Sequence, residues 1–345
     1  MTRHKFHKEL YTHRSGGDLP SIVVAQDEHL QSRFVVQKVL ELREKGVSLD
    51  DIAVLFRSSY LSFDLEIELN KTNIPFVKFG GFKFIETAHI KDLVAYLRVL
   101  ENPRDAVAWN RILLLVDGVG PRTAERVIED ITSRRFNPAP ANTAQSVQSF
   151  WSNYNDYPEG IRSLVEAMRT VAPEHLTPSD KIQQIINYYQ PIFSRRYDDF
   201  VKRRKDLEMF QQITERYRSV NTLLADLALE PAGESVTDIT APGTDDEKLV
   251  LSTIHSAKGL EWNSVFVIYA LDGRFPNTRA AISDEAMEEE RRLMYVACTR
   301  AKENLFITYP INIYDRDTGL LLSKPSRFVS SLPENLLETW VIDEE

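Results

Sequence analysis

The chain contains 345 residues, 43% of them hydrophobic and 27% charged, which is typical of a globular protein with room for two domains. It has no apolar run of membrane-spanning length and no signal peptide, and its single cysteine excludes an intrachain disulfide and fits a reducing, cytoplasmic compartment. The net charge of −9 argues only weakly against nucleic acid as a partner, because binding depends on local patches.

Three apolar runs near the N-terminus predict buried strands separated by helices. The pattern after the first run places Phe34, Val35 and Val39 on one helical face, and another helical pattern follows the second run at 61–70. This order of strands and helices is typical of a parallel α/β sheet. The predicted strands are SIVVA (21–25), IAVLF (52–56) and IPFVKFG (74–80).

Beyond a predicted helix near 87–100, the chain changes character. Residues 102–230 have an almost entirely helical pattern, and the polar stretch 232–248 predicts a linker. Strand patterns then return in KLVLST (248–253), SVFVIYA (264–270) and ENLFITYP (303–310). The simplest interpretation is one α/β sheet interrupted by an inserted helical domain. Two consecutive domains are the alternative, but the first three strands alone would form only a small sheet.

The sequence contains no G-x-x-x-x-G-K-[ST] pattern and therefore lacks the P-loop that cradles a triphosphate. We expect the chain alone not to hydrolyse a nucleotide. One cysteine and seven scattered histidines also give no zinc-binding spacing.

A segment rich in glycine connects two predicted helices in LLLVDGVGPRTAERVIED (113–130). Gly118 and Gly120 permit a tight turn, and the proline that follows them suits the first turn of the next helix. Exposed amides at that helix start can accept a phosphate, with Arg122 and Thr123 beside them. The segment resembles a helix-hairpin-helix element, which grips duplex DNA through its backbone, although an ordinary connection between helices would use the same residues.

A polar loop from Thr253 to Glu261 lies between the predicted strands at 248–253 and 264–270. It is longer and more polar than a turn between two paired strands requires. Loops at the ends of parallel strands commonly bind ligands in α/β proteins, which favours a site here. Alone, His255 would be interpreted as a surface histidine and Lys258 as a solvated charge.

The stretch EEERRLMYVACTRA (288–301) predicts a helix that begins with three glutamates and delivers Arg300 at its far end. Acids suit a helix N-terminus and cations its C-terminus, so the helix dipole could explain this order, with 288–290 as a solvated or capping run. The sharper hypothesis is that Arg300 faces an anion that is not part of this chain.

These segments together resemble the C-terminal half of superfamily 1 DNA helicases of the UvrD/PcrA/Rep type. STIHSAKGLEWNSVFV, ALDGRFPN and EEERRLMYVACTRAKENLFITY, in this order, resemble the last two conserved motifs of the family. The segment 52–92 resembles the start of its second motor domain, and PSRFVSSLP (325–333) resembles the segment that closes it. The resemblance covers nearly the whole chain.

The resemblance implies a fold and an activity. Helicases of this type bind ATP and Mg²⁺ between two RecA-like motor domains, and the first domain supplies the P-loop and the metal-binding acids. This chain would provide the second RecA-like domain, from residues 1–98 and 246–345, and an inserted helical subdomain from 99–245. We therefore expect half of a 3′–5′ DNA helicase, with single-stranded DNA, duplex DNA and the first motor domain as partners. Alone, it should hold neither ATP nor Mg²⁺.

The same resemblance implies roles for individual residues. Arg300 matches the arginine that reaches the γ-phosphate, and Glu261 matches the ribose contact. The residues that match contacts with single-stranded DNA are Thr253, His255, Ser256, Lys258, Arg57 and Ser59. At Ser59 the family commonly has asparagine. The residues that match the duplex-contacting element are Gly118, Gly120, Arg122 and Thr123.

A non-enzymatic DNA-binding or regulatory module that kept the second-domain fold is the alternative interpretation. Arg300 and Glu261 favour the motor, because a module that never met ATP would have no use for them. An isolated phosphate-ester hydrolase is disfavoured, because no acidic cluster has a spacing suited to metal ions.

Overall fold

The computed structural model describes residues 18–81, 83–132, 159–228, 247–278, 280, 283–315 and 319–343. The chain divides into two compact units: the first contains Met1–Phe82 and Pro231–Glu345, and the second contains Lys83–Glu230. The helical unit therefore begins earlier in the chain than the expected residue 99. Most of the predicted linker at 232–248 lies outside the described residues.

The first unit is built on a parallel sheet. Its strands are β1 (Ser21–Ala25), β2 (Ile52–Phe56), β3 (Phe76–Phe79), β4 (Leu249–Thr253), β5 (Trp262–Val267), β6 (Ala301–Pro310) and β9 (Glu338–Ile342). They lie in the order β3-β4-β2-β5-β6-β1-β9, and every neighbouring pair is parallel. The predicted parallel α/β sheet is confirmed. A separate antiparallel pair, β7 (Ile313–Asp315) and β8 (Leu320–Leu322), was not predicted.

The helices in the described ranges follow the predicted alternation and none of them is long and apolar enough to cross a membrane. In the first unit they are α1 (Glu28–Glu44), α2 (Phe63–Lys71), α10 (Asp284–Cys298) and α11 (Arg327–Ser330). In the second unit they are α3 (Ala88–Glu101), α4 (Ala106–Leu113), α5 (Pro121–Thr132), α6 (Glu159–Val171), α7 (Pro178–Arg196), α8 (Phe200–Glu215) and α9 (Val220–Ala228).

Helices cover both faces of the sheet, which explains why β2 is buried along its whole length. One apolar cluster joins Val39 of α1 and Leu65 of α2 to one face of the sheet. A second cluster joins Leu293 and Ala297 of α10 to the opposite face. Alternate residues of each strand point to opposite faces, so the two clusters share strands without sharing side chains.

Polar caps fix where the helices leave the sheet. At α1 the Asp27 carboxylate accepts a hydrogen bond from the Leu30 amide at 2.8 Å. At α10 the Ser283 hydroxyl accepts one from the Ala286 amide at 3.1 Å. Each cap satisfies an amide that the helix itself leaves unpaired. The start of α10 is therefore defined, and its length then sets the position of Arg300.

A buried polar network joins helices of the second unit. Asp92 of α3 accepts hydrogen bonds from Arg111 Nε at 2.7 Å and from the Tyr189 hydroxyl at 2.5 Å. One turn earlier, His89 Nε2 lies 2.8 Å from Asp206 of α8. Asp92 and His89 are both buried, so these bonds form in a medium of low dielectric and tie α3 to α4, α7 and α8.

Candidate nucleotide and nucleic-acid sites

The ends of three adjacent strands gather most of the residues predicted to contact single-stranded DNA. Phe56 at the end of β2 pairs with Thr253 at the end of β4, and Phe79 at the end of β3 pairs with Ser252. The segments that follow these strands therefore emerge at one edge of the sheet. We call the group at this edge the carboxyl-edge cluster; it contains Arg57, Ser59, Gly80, Gly81, Thr253, His255 and Ser256.

Two glycines that were not predicted to be site residues, Gly80 and Gly81, form the middle of this cluster. Gly80 has a φ of +81°, in the left-handed region that favours glycine. A Cβ at Gly80 would overlap Thr253 Oγ1 and lie 2.6 Å from Ser256 Oγ, and a Cβ at Gly81 would overlap Ser59 Oγ. The bare backbone after β3 thus lets the polar side chains after β2 and β4 approach it from both sides.

The segment after β4 is a hydrogen-bonded turn with two anchored and two exposed residues. The Ser256 and Ala257 amides donate to the Thr253 carbonyl at 3.0 and 3.1 Å, and the Thr253 hydroxyl lies 3.0 Å from Ser256 Oγ. Ile254 and Ala257 are fully buried, whereas His255 and Ser256 are exposed. The apolar pair therefore fixes the turn, and the polar pair faces outward.

A buried ion pair supports the turn that carries Ser59. Lys78 Nζ of β3 lies 2.6 Å from Glu66 Oε1 and 3.3 Å from the Ser59 carbonyl oxygen. The Ser62 hydroxyl lies 2.7 Å from the same Glu66 oxygen and 2.8 Å from the same carbonyl. The Lys78 and Glu66 side chains are only 1% and 2% exposed. Buried charges of this kind need their partners, so the network holds the Ser59 turn in place.

The polar loop after Thr253 crosses the sheet. Strand β2 lies between β4 and β5, so these two strands are not neighbours. Thr253 is level with the end of β2, whereas Ser264 near the start of β5 is level with the beginning of β2. The loop therefore runs from the carboxyl ends of the strands to their amino ends. The comparison with a turn between paired strands is wrong, because a crossing past β2 needs this length, and the length alone therefore no longer favours a site.

Glu261 and Arg300 meet at the opposite edge, where β5 and β6 begin. Trp262 and Ala301 start these strands and pair with each other, and the Trp262 amide donates to the Arg300 carbonyl at 2.9 Å. Glu261 is exposed and Arg300 is partly exposed. The predicted ribose contact and the predicted phosphate contact are thus brought together, and both lie away from the carboxyl-edge cluster.

All three nitrogens of the Arg300 guanidinium donate hydrogen bonds within the chain, and Nη2 donates to the Thr299 hydroxyl at 3.2 Å. Its Nε donates to the Val296 carbonyl at 3.1 Å, and its Nη1 donates to the Leu260 carbonyl at 2.7 Å. Val296 belongs to the last turn of α10, so the helix dipole accounts for the first of these bonds. It does not account for the second, which places the guanidinium against the residue before Glu261.

Arg57 is tied to α10. Its Nε and Nη2 donate to Oε1 of Glu290 at 2.8 and 2.7 Å. Glu290 is buried, so the interpretation of 288–290 as a solvated or capping run is wrong for this residue. Glu289 fits that interpretation better, because it is exposed and pairs with Arg292 one turn further along the helix. Glu288 pairs with Arg291 and is only partly exposed.

The glycine turn of the second unit is exposed at its tip. Gly118 has a φ of +77°, Val119 is buried, and Gly120 is exposed directly before α5 begins. In the first turn of α5, Arg122 is exposed and Thr123 is partly exposed. The four residues predicted to contact duplex DNA therefore lie together around one helix start.

Neighbouring contacts hold this turn in place. A Cβ at Gly160, near the start of α6, would lie 3.2 Å from the Asp117 carbonyl oxygen, so α6 packs closely behind the turn. The Asp117 carboxylate forms an ion pair with Arg195 of α7 at 2.5 Å. Both side chains are largely exposed, so this ion pair contributes little to stability, although it places a positive charge beside the Asp117 carboxylate.

The Lys258 side chain is exposed in the crossing loop, whereas Cys298 is partly buried. Cys298, near the end of α10, packs against the apolar cluster on that face, and burial raises the pKa of its thiol to about 11. The reactive thiolate is therefore scarce near neutral pH, and the chain's cysteine is unsuited to nucleophilic chemistry.

A family model and several individual proteins that resemble this chain all point to the same helicase family. A family model described as the UvrD-like helicase C-terminal domain matches residues 1–311. ATP-dependent DNA helicase PcrA of Leuconostoc citreum is 30% identical over 347 residues, which cover 96% of this chain and 46% of that protein. PcrA of Staphylococcus epidermidis and of Staphylococcus aureus are also 30% identical, over 359 and 355 residues, with the same shares covered. The chain thus spans about half the length of these relatives.

Proposed function

Because the chain belongs to the UvrD-like helicase C-terminal domain family, we propose that it is the second motor half of an ATP-dependent DNA helicase or translocase that moves 3′–5′ on single-stranded DNA. One observation carries this proposal. A single sheet carries both groups of candidate residues. The candidate contacts with single-stranded DNA lie at the carboxyl ends of its β-strands, and the candidate nucleotide contacts, Arg300 and Glu261, lie at the amino ends of β5 and β6. Movement of this sheet in response to the nucleotide would therefore also move the residues that contact DNA.

At the nucleotide, Arg300 would reach the γ-phosphate of ATP bound on a separate P-loop domain. Charge grows on the phosphoryl oxygens during transfer, and a fixed guanidinium stabilises it with short, charge-assisted hydrogen bonds. The bonds from Arg300 to the Val296 and Leu260 carbonyls support this role, because they fix the side chain beside Glu261. The Glu261 carboxylate would accept a hydrogen bond from the ribose.

Mg²⁺ would be held by the P-loop domain, as the family resemblance implies. Across the described ranges of this chain, no group of three or more His, Cys, Asp and Glu side chains could hold a metal ion by itself. Mg²⁺ bound with ATP usually takes one or two carboxylates beside the phosphates, and the P-loop domain would supply these and would also bind the adenine and the α- and β-phosphates. The contribution of this chain would be the electrostatic one of Arg300 and the positioning one of Glu261.

The carboxyl-edge cluster would bind the sugar-phosphate backbone of single-stranded DNA. Hydroxyl, imidazole and guanidinium groups of Thr253, Ser256, His255 and Arg57 suit phosphate contacts that do not depend on base sequence. The anchored turn at Ile254 and Ala257 supports this role, because it keeps the exposed side chains in register. Lys258 would contribute to the same loop.

ATP binding would close the two motor domains, and hydrolysis would release them. Each such cycle would move the protein along single-stranded DNA by a step on the scale of a nucleotide.

The second unit would hold the duplex ahead of the motor. Amides at the start of α5, with Arg122 and Thr123, would contact the phosphates of duplex DNA. Gly120 offers the sharper test of this role, because a Cβ there meets no heavy atom within 4 Å and its φ lies outside the left-handed region. By contrast, any substitution of Gly118 would strain the backbone.

Gly120→Val is expected to weaken binding of duplex DNA by roughly tenfold, because the side chain would occupy the space through which a phosphate approaches the amides. Binding of single-stranded DNA should change by less than about twofold. Fluorescence anisotropy with labelled duplex and single-stranded oligonucleotides measures both affinities. Ala106→Val, at an exposed position of α4 in the same unit, is the matched control and should affect neither. Equal losses on the two DNA forms would reject the role of this turn.

A further inference from the structure

The buried carboxylate of Glu290 connects three separate segments of the first unit. Its Oε1 accepts hydrogen bonds from Nε and Nη2 of Arg57, at the end of β2, and from the Asn277 side-chain amide at 3.0 Å. The Glu290 side chain is 4% exposed, whereas the Arg57 side chain is 22% exposed. Glu290 itself lies in α10, the helix that ends next to Arg300.

The Arg57–Glu290 pair uses only one of the two carboxylate oxygens. Arginine–carboxylate pairs are frequently bidentate, with two parallel N–H···O bonds that use both oxygens. Here one oxygen accepts three N–H groups, while Oε2 is buried and accepts no hydrogen bond from the part of the chain that the structure describes. Arg57 Nε and Nη2 are both hydrogen-bonded to Glu290, whereas Nη1 donates no hydrogen bond to any residue of the described ranges.

We propose that Glu290 is a positioning residue that holds Arg57 for contact with a phosphate of single-stranded DNA. This inference rests on the proposed function of the carboxyl-edge cluster. Glu290 fixes two of the guanidinium's donor groups, so Nη1 is ordered before the strand arrives and little side-chain freedom is lost on binding. Helix α10 then carries Glu290, which positions a DNA contact, in its first half, and it ends next to Arg300, the predicted contact with the γ-phosphate of ATP.

A double-mutant cycle on the whole chain tests the inference. Glu290→Gln keeps the size of the side chain and removes its charge, and it is expected to weaken binding of a labelled oligothymidine roughly three- to tenfold, because Arg57 must then be ordered during binding. In an Arg57→Met background the same substitution should change affinity by less than about twofold, because the residue through which it acts is absent. Anisotropy measures the affinity of all four proteins.

A milder substitution of Arg57 separates a positioning role from an effect on folding. Arg57→Met leaves the Glu290 carboxylate buried with Asn277 as its one described partner, and it is expected to destabilise the unit. Arg57→Lys keeps the charge without the planar fork, and it should lose affinity as Glu290→Gln does while the melting temperature stays close to that of the wild type. Glu289→Gln is the matched control, since that exposed neighbour pairs along the helix surface with Arg292 at 2.9 Å, and it should have no effect.

The outcomes are distinguishable. Equal effects of Glu290→Gln in both backgrounds, or tighter binding than the wild type, would overturn the positioning role and leave Glu290 as a source of charge or stability. If Arg57→Lys keeps full affinity, the fork held by Glu290 is not needed and the inference fails. If the wild-type chain does not bind oligothymidine at all, the proposed function itself fails, and the inference fails with it.

Discussion

Arg300→Ala is expected to lower ATP turnover by roughly 10³-fold or more in a protein that joins this chain to a P-loop-bearing motor half. The guanidinium is the group that would meet the growing charge on the phosphoryl oxygens, and no other side chain was predicted to replace it. Affinity for single-stranded DNA should stay within about twofold of the wild type, because the carboxyl-edge cluster lies at the other ends of the strands. Steady-state ATP hydrolysis and oligothymidine binding are the two measurements.

The controls for this substitution come from the same helix. Arg292 is exposed and pairs with Glu289 along the helix surface at 2.9 Å, so Arg292→Ala removes an arginine from α10 without touching the end that carries Arg300. It should leave turnover unchanged. Arg300→Lys keeps a positive charge but cannot make the same paired contacts, so most of the loss should remain. A loss of DNA affinity as large as the loss of turnover would contradict the assignment.

Lys78→Met is expected to destabilise the sheet unit by about 3–5 kcal/mol, the range found when one partner of a buried ion pair is removed. Without Lys78, the Glu66 carboxylate would lose its ion pair while remaining only 2% exposed, and the Ser59 carbonyl would lose a donor. Urea unfolding gives the change in the free energy of unfolding. Hydrogen exchange in β2 and β3 assigns the transition to this unit.

A second substitution distinguishes a broken ion pair from a damaged core. Lys78→Met combined with Glu66→Met replaces the pair by apolar side chains and should recover most of the lost stability, since such replacements are often neutral. Lys71→Met breaks the partly exposed ion pair between Lys71 and Glu68 of α2, 3.0 Å apart, and should cost less than about 1 kcal/mol. If Lys78→Met costs no more than Lys71→Met, the buried pair does not support the Ser59 turn as described.

The main strands could be predicted because each is a short, strongly apolar run. SIVVA and IAVLF correspond residue for residue to β1 and β2, since a strand covered on both faces must be apolar along its length. Strand β9 was missed because it is an edge strand with mostly exposed residues. Trp340 anchors it by packing edge-on against Phe34 with ring centroids 6.1 Å apart, a contact that no local pattern reveals.

The candidate site was predicted less completely, because the missing information is which strands are neighbours. Local pattern identified the polar loop, but not that β2 separates β4 from β5 or that Glu261 therefore lies far from Thr253. Gly80 and Gly81 carried a usable signal: two glycines after a buried strand permit close approach of neighbouring segments. Glu290 carried none, because it stands in a run of three glutamates typical of an exposed helix start and its partner Arg57 is distant in the chain.

The central claim is that this chain supplies Arg300 to a nucleotide site completed by another domain. The most direct measurement is DNA-stimulated ATP hydrolysis by this chain alone, by a P-loop-bearing first motor half alone, and by the two joined. We predict negligible turnover by this chain alone, and DNA-stimulated turnover by the joined protein that depends on Arg300. Robust DNA-stimulated turnover by this chain alone, unaffected by Arg300→Ala, would contradict the claim.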